Sequence, residues 1–96
     1  MNIGFSKNNE SIIIALDGRL DTITAPELES FLGENYNGES TLIINCEKLS
    51  YISSAGLRVL LAAQKKTKGN MKITNVCELV MEVLEMTGFA DILTIE

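Results

Sequence analysis

The 96-residue sequence predicts an α/β fold: a single domain over residues 1–96, with one mixed β-sheet of parallel βαβ units packed by three main helices. Three observations predict it. Short apolar runs at Ile12–Leu16, Thr41–Asn45 and Met71–Thr74 alternate with longer stretches of helical periodicity. Each helical stretch opens on capping residues and closes at a segment containing glycine. A hydrophobic share of 46% over 96 residues supplies one core and not two.

Asn2–Lys7 and Ser11–Asp17 read as two strands joined by the polar link Asn8-Asn9-Glu10. The unbroken run Ile12-Ile13-Ile14-Ala15-Leu16 predicts a strand covered on both faces. Asp17–Asp21 then leaves the sheet as a loop. Thr24-Ala25-Pro26-Glu27 starts a helix, with a threonine cap, proline in the first turn and glutamate three residues after the cap. Leu28, Phe31 and Leu32 form its buried stripe, and Glu34–Ser40 is the return loop. Thr41–Asn45 is the next buried strand, followed by a loop and a helix over Ser54–Lys68 that Gly69-Asn70 stops. Met71–Thr74 is another strand. Asn75-Val76-Cys77-Glu78 reads as a second capping box, opening a helix to about Thr87 with Val76, Val80, Val83 and Leu84 inward. Ile92–Ile95 is predicted as a last edge strand. In such a fold the strand ends share one rim, so Asp17–Ile23, Cys46–Ser54 and Asn75–Cys77 are expected to be neighbours.

Composition narrows the function. The net charge of −5 argues against nucleic acid as a partner. Lys65, Lys66, Lys68 and Lys72 gather near a helix C-terminus, where the dipole accounts for them. The longest apolar runs are far short of a membrane span, and the first residues lack a basic-then-apolar leader, so a cytoplasmic protein without membrane insertion is expected. The chain has no histidine, which removes Ser–His–Asp and Cys–His catalysis and the commonest zinc sites. Cys46 and Cys77 have neither zinc nor redox-motif spacing and read as packing residues. Asp17 and Asp21, with Asn45 and Glu47, are too few polar tips for a metal site, so a turn-stabilising or partner-facing role is favoured for Asp21. With no glycine-rich phosphate loop, neither a cofactor nor an enzymatic activity is expected.

The chemistry concentrates in Leu49–Leu61, read as a loop turning into a helix. A serine oxygen at the helix start is expected to accept a hydrogen bond from the first turn. Ser53–Leu57 contain no acid, although the positive end of the helix dipole normally attracts one. Ala55 and Gly56 are small, so another surface can approach the backbone. The stretch reads as a partly positive socket with a hydroxyl at its mouth, suited to a phosphate. Capping and phosphorylation are compatible uses of that hydroxyl.

Leu49-Ser50-Tyr51-Ile52-Ser53-Ser54-Ala55-Gly56-Leu57 resembles the signature of the STAS domain, in particular the stand-alone bacterial anti-sigma factor antagonists. Gly18-Arg19-Leu20-Asp21, Thr24-Ala25 and Met86-Thr87-Gly88-Phe89 resemble other family segments in register. The resemblance implies a protein that binds an anti-sigma factor, itself a serine kinase with an ATP-binding fold, and so releases a sigma factor. Phosphorylation of the antagonist ends that interaction, and a cognate phosphatase restores it. The family's acceptor position falls on Ser54. Ser53 stands where the family usually has aspartate, which makes it a second candidate acceptor. Asp21 matches the family's acidic residue that faces the kinase. The partner-facing set implied is Asp21, Ser53, Ser54, Ala55, Gly56 and Arg58, on a chain that is a monomer or weak dimer. Ser53 in the aspartate position also keeps open a non-phosphorylated STAS scaffold subunit of a transporter or stress-signalling complex. A phosphocarrier using Cys46 is the third reading.

Overall fold

Alternation inside the apolar runs decides which side of the sheet is covered. In the computed structural model, which describes residues 1–96, β2 (Ser11–Leu20), β3 (Thr41–Ile52) and β4 (Met71–Thr74) run parallel. β1 (Asn2–Lys7) pairs antiparallel with β2, and the strand order is β1-β2-β3-β4. The register sets Leu42 between Ile12 and Met71, and Ile44 between Ile14 and Ile73. These residues are all buried and lie in rows on one face, as the two-residue side-chain period requires.

Helices α1 (Ala25–Asn35), α2 (Ser54–Lys66) and α3 (Glu78–Met86) bring Leu28 and Leu32, Leu57 and Leu60, and Val80 and Leu84 into the same core. Phe31 of α1 is half-buried and meets Phe5 of β1 edge to face, with ring centroids 5.8 Å apart. The opposite face of the sheet carries Ile13, Ala15, Ile43 and Asn45, each only half-buried. The expectation that Ile12–Leu16 is covered on both faces is therefore corrected: the continuous apolar run hides a one-sided strand. Neighbouring side chains of the sheet shield Ile13 and Ile43 in part without a second helical layer.

The strands also run further than expected. Asp17–Leu20 belong to β2 and Cys46–Ile52 to β3, where loops were predicted. The register advances two residues in β2 and three in β3 between Ala15/Asn45 and Asp17/Lys48. It slips again between Gly18/Leu49 and Arg19/Tyr51. Each slip places one extra residue on β3, the mark of a β-bulge, which raises local twist and breaks the simple alternation. That is why Glu47-Lys48 and Ser50-Tyr51 read as loop in one dimension.

At the other end the predicted edge strand Ile92–Ile95 is absent. Ile95 makes one bridge to Ile73, held by Ile73 N–H to Thr94 O and Glu96 N–H to Ile73 O, both 2.8 Å. α2 stops at Lys66, two residues before the expected end, because Lys68 and Gly69 turn left-handed with φ of 56° and 84°.

The start of α2 is seated by Gly56. A Cβ there would lie 2.7 Å from Leu20 Cγ and 3.0 Å from Ile52 Cγ1. Alanine in place of glycine gains about 1 kcal/mol of helix propensity. Overpacking against two buried side chains costs about 1–3 kcal/mol. We expect Gly56→Ala to lower the urea midpoint of unfolding, whereas a raised midpoint shows that Leu20 and Ile52 yield without cost.

Candidate functional site

The C-terminal ends of β2 and β3 and the start of α2 form one rim. Leu20 and Ile52, the last residues of the two strands, are buried side by side. Ser53 follows in extended conformation, and its N–H donates to Leu20 O at 2.9 Å. Leu57 N–H then donates to Ser53 O at 2.9 Å, closing the first turn of α2. The three predicted neighbours do meet. Besides the Ser53–Leu20 bond, Asn75 Nδ2 donates to Asn45 Oδ1 at 3.0 Å, and Cys77 Sγ lies 3.5 Å from Leu49 O.

The two serines diverge sharply. Ser53 is the N-cap residue, yet its hydroxyl makes no capping hydrogen bond; Oγ is buried and has no partner within the protein. The predicted serine cap is thus absent. Ser54 is exposed at the first helical position, and Arg58, one turn on, is exposed on the same side of α2. No acid occupies the first turn. Ala55 is half-buried, while Gly56 and Leu57 are buried. Gly56 is therefore corrected from the partner-facing set: its missing side chain admits Leu20 and Ile52 rather than an approaching surface.

Asp21 builds the adjacent turn. Its Oδ1 accepts from Ile23 N–H at 3.0 Å and Thr24 N–H at 3.1 Å. Thr24 Oγ1 in return accepts from Asp21 N–H at 2.8 Å and donates to Arg19 O at 2.7 Å. The reciprocal pair thus runs from Asp21 to Thr24, whereas the sequence placed the cap on Thr24 itself. Thr24 has helical backbone angles and makes no side-chain cap bond to α1. Before α3 the cap is displaced in the other direction along the chain. Cys77, not Asn75, is its N-cap residue, and Asn75 is left-handed with φ of 57°. The Thr24 amide, foremost among these donors, holds the Asp21 carboxyl below its ordinary value of 3.8. Arg19 is the smallest contributor, as its Nε stands 3.9 Å from Asp21 Oδ2. The Arg19 guanidinium instead lies over the Tyr51 ring, 4.1 Å from the centroid.

Asp21 and Asn45, weighed above as metal ligands with Asp17 and Glu47, are tied elsewhere: Asp21 to its own turn, Asn45 to Asn75 and the Glu47 N–H. Cys46 is buried in the core, and burial, with Cys77 nearby, pushes its thiol up to about 12. It is a packing residue, with no thiolate at neutral pH to carry a phosphoryl group. A shallow cleft of about 430 Å³ opens on the uncovered sheet face between Asn2, Gly4, Ala15, Asp17 and Lys48. Neither serine nor Asp21 lines it. The single cleft of the structure therefore lies away from the rim.

Two features escaped the sequence reading. The Arg19–Tyr51 stack depends on a bulged register that no local pattern encodes. Ile23 is 81% exposed, in the turn built by Asp21. Its signal was present: an apolar residue outside the Leu28/Phe31/Leu32 stripe.

The fold and rim define a small single-sheet α/β module with its distinctive residues at one helix start. The STAS domain model matches residues 3–96, and the chain belongs to the STAS domain family. BtrV of Bordetella bronchiseptica, provisionally named an anti-sigma factor antagonist, is 34% identical over 96% of this chain and 83% of its own. The anti-sigma-B factor antagonist of Bacillus subtilis is 29% identical over 99% of this chain and 90% of its own. Among solved structures, the Bacillus anti-sigma factor antagonist SpoIIAA superimposes in its unphosphorylated form with a TM-score of 0.81, at 20% identity, covering 99% of this chain and 88% of that one. Its phosphorylated form gives 0.72 at 19% identity, covering 99% and 91%.

Two outcomes are expected. The lowered Asp21 carboxyl contributes stability that is fully present above 3.8 and fades as pH falls through its lower native value. The melting-temperature difference between wild type and Asp21→Asn should therefore shrink as pH is lowered below 3.8; a constant difference contradicts the assignment. In a thiol titration of the native protein Cys46 should stay unmodified until denaturant is added, and rapid modification at neutral pH contradicts its burial.

Proposed function

We propose that the chain is an anti-sigma factor antagonist: it binds an anti-sigma factor that is also a serine kinase, so freeing a sigma factor, and is released when Ser54 is phosphorylated. A phosphatase resets it. The observation that carries the reading is the contrast between the two serines. The Ser54 residue is exposed at the start of α2 in a turn without acids, whereas the Ser53 hydroxyl is buried. Membership of the STAS family and the names of the relatives support the partner class. The protein acts by contact, without catalysis of its own.

The physics suits a switch by charge. A phosphate adds about −1.5 to −2 charge at neutral pH. The free N–H groups of the first turn and the helix dipole stabilise that charge on the chain itself. Against a partner shaped for a neutral hydroxyl it introduces bulk and a desolvation penalty. Ser54 has no core contact to lose, so the fold persists and only its surface changes. Arg58 and Ala55 flank the modified position and complete the contact surface with the Asp21 turn.

Incubation with the ATP-binding serine-kinase anti-sigma factors encoded in the source genome, followed by mass mapping, should place phosphate on Ser54 and none on Ser54→Ala. Ser54→Asp should bind the kinase at least about tenfold more weakly than wild type, matching the loss of a strong interface contact. Phosphate on Ser53, or equal affinities, overturns the assignment.

A further inference from the structure

We infer that two copies of the chain associate through the open face of the sheet, about a two-fold axis that runs along the strands and sets β2 of one copy over β3 of the other. The inference goes beyond the antagonist reading and stands or falls without it. The register sorts the side chains of this face into rows. Ser6, Ile13, Ile43 and Lys72 form one row, and Gly4, Ala15, Asn45 and Thr74 the next. Asn2, Asp17 and Lys48 form the last. Ile13 and Ile43 sit side by side at the centre of the sheet, half-buried and with no helix over them. Gly4 interrupts β1, and glycine inside a strand gives up packing and marks a place where another surface comes close. A Cβ there would meet Ala15 Cβ at 3.4 Å; with a hydrogen and a methyl instead, the cleft of about 430 Å³ dents the β1–β2 half of the face.

Under that rotation the face is complementary to itself. The axis exchanges β2 with β3 and β1 with β4, and it keeps each row opposite the same row of the second copy. Ile13 then lies over Ile43, and the apolar row closes on itself. In the middle row the small Gly4 and Ala15 meet the larger Thr74 and Asn45, so the dent in one copy receives the raised half of the other. In the end row Asp17 meets Lys48. Both are exposed, and the ion pairs within the chain, Arg19–Asp21 and Lys72–Glu96, use neither. An axis across the strands would instead press Ile13 onto Asp17, burying a carboxylate without a partner. Size and charge keep the association weak. Four strands about 4.8 Å apart and about six residues long cover roughly 20 × 20 Å per copy, or about 800 Å² in total. Stable complexes bury about 1,200–2,000 Å². Glu47, beside Lys48 on the bulge and lining the same cleft, adds a carboxylate near Asp17 of the second copy. Ser54 starts a helix that packs on the other face of the sheet, so it stays accessible in both copies.

The test is sedimentation equilibrium of the full chain alone, with no partner added. The weight-average mass should rise reversibly from 10.5 kDa towards twice that value between about 10 μM and about 1 mM. Lys48→Asp, at an exposed position, should weaken the dimer at least about tenfold while melting as wild type does. The double exchange Asp17→Lys with Lys48→Asp restores opposite charges across the axis and should return the affinity to within about threefold of wild type. Ile43→Asp should leave a monomer at every concentration. A wild-type chain that stays monomeric to about 1 mM overturns the inference. A dimer that neither Lys48→Asp nor Ile43→Asp weakens uses another surface and overturns it equally. A double exchange that fails to recover what Lys48→Asp loses overturns the pairing of β2 over β3.

Discussion

The close contact of Gly56 with Leu20 and Ile52 is the constraint on which the rest depends. It joins the ends of two parallel strands to the first turn of a helix with no side chain between them. From that contact follows the backbone bond between Ser53 and Leu20, and from that bond the opposite fates of two adjacent serines. Ser53 is drawn under the helix start, and its hydroxyl is buried. Ser54, one residue later, is rotated out to solvent. A helix that stood off the sheet by the width of a methyl group would not separate them so cleanly.

The rim is also fixed from its other sides, each by a different kind of interaction. The Asp21–Thr24 pair closes the turn entering α1. Arg19 stacked on Tyr51 ties the end of β2 to the bulged part of β3, and Ser50 Oγ donates to Gly18 O at 3.0 Å alongside. Asn75, in a left-handed conformation, links the end of β4 to Asn45. Arg19 is exposed and Asp21 only half-buried, and their closest approach is 3.9 Å, so their Coulomb attraction is weak in water. Hydrogen bonds to backbone groups do most of the positioning in the Asp21 turn.

Much of this was legible in the residues, and the failures share a cause. Helix existence and the meeting of the three strand ends followed from periodicity and glycine stops, which are local signals. Ser54 and Asp21 were singled out through the STAS resemblance, and the meeting of their two segments through topology. What failed were statements that need a neighbour to be known. The caps slid because Asp21, not Thr24, reaches the free amides, and because burial denied Ser53 its bond. The loops after Asp17 and Asn45 became strand because bulges let β3 accommodate two extra residues. The run Ile12–Leu16 looked two-sided because hydrophobicity alone cannot distinguish a residue under a helix from one shielded only by its strand neighbours.

That the Ser54 side of α2 faces outward while its other side is wedged against the sheet has a consequence in time. A device that must repack its interior to change state responds no faster than its slowest internal rearrangement. Under the proposed switch the two states share one interior, so the response is paced by the enzymes that write and erase the mark. Under that switch the domain itself is a passive label, readable as soon as it is altered.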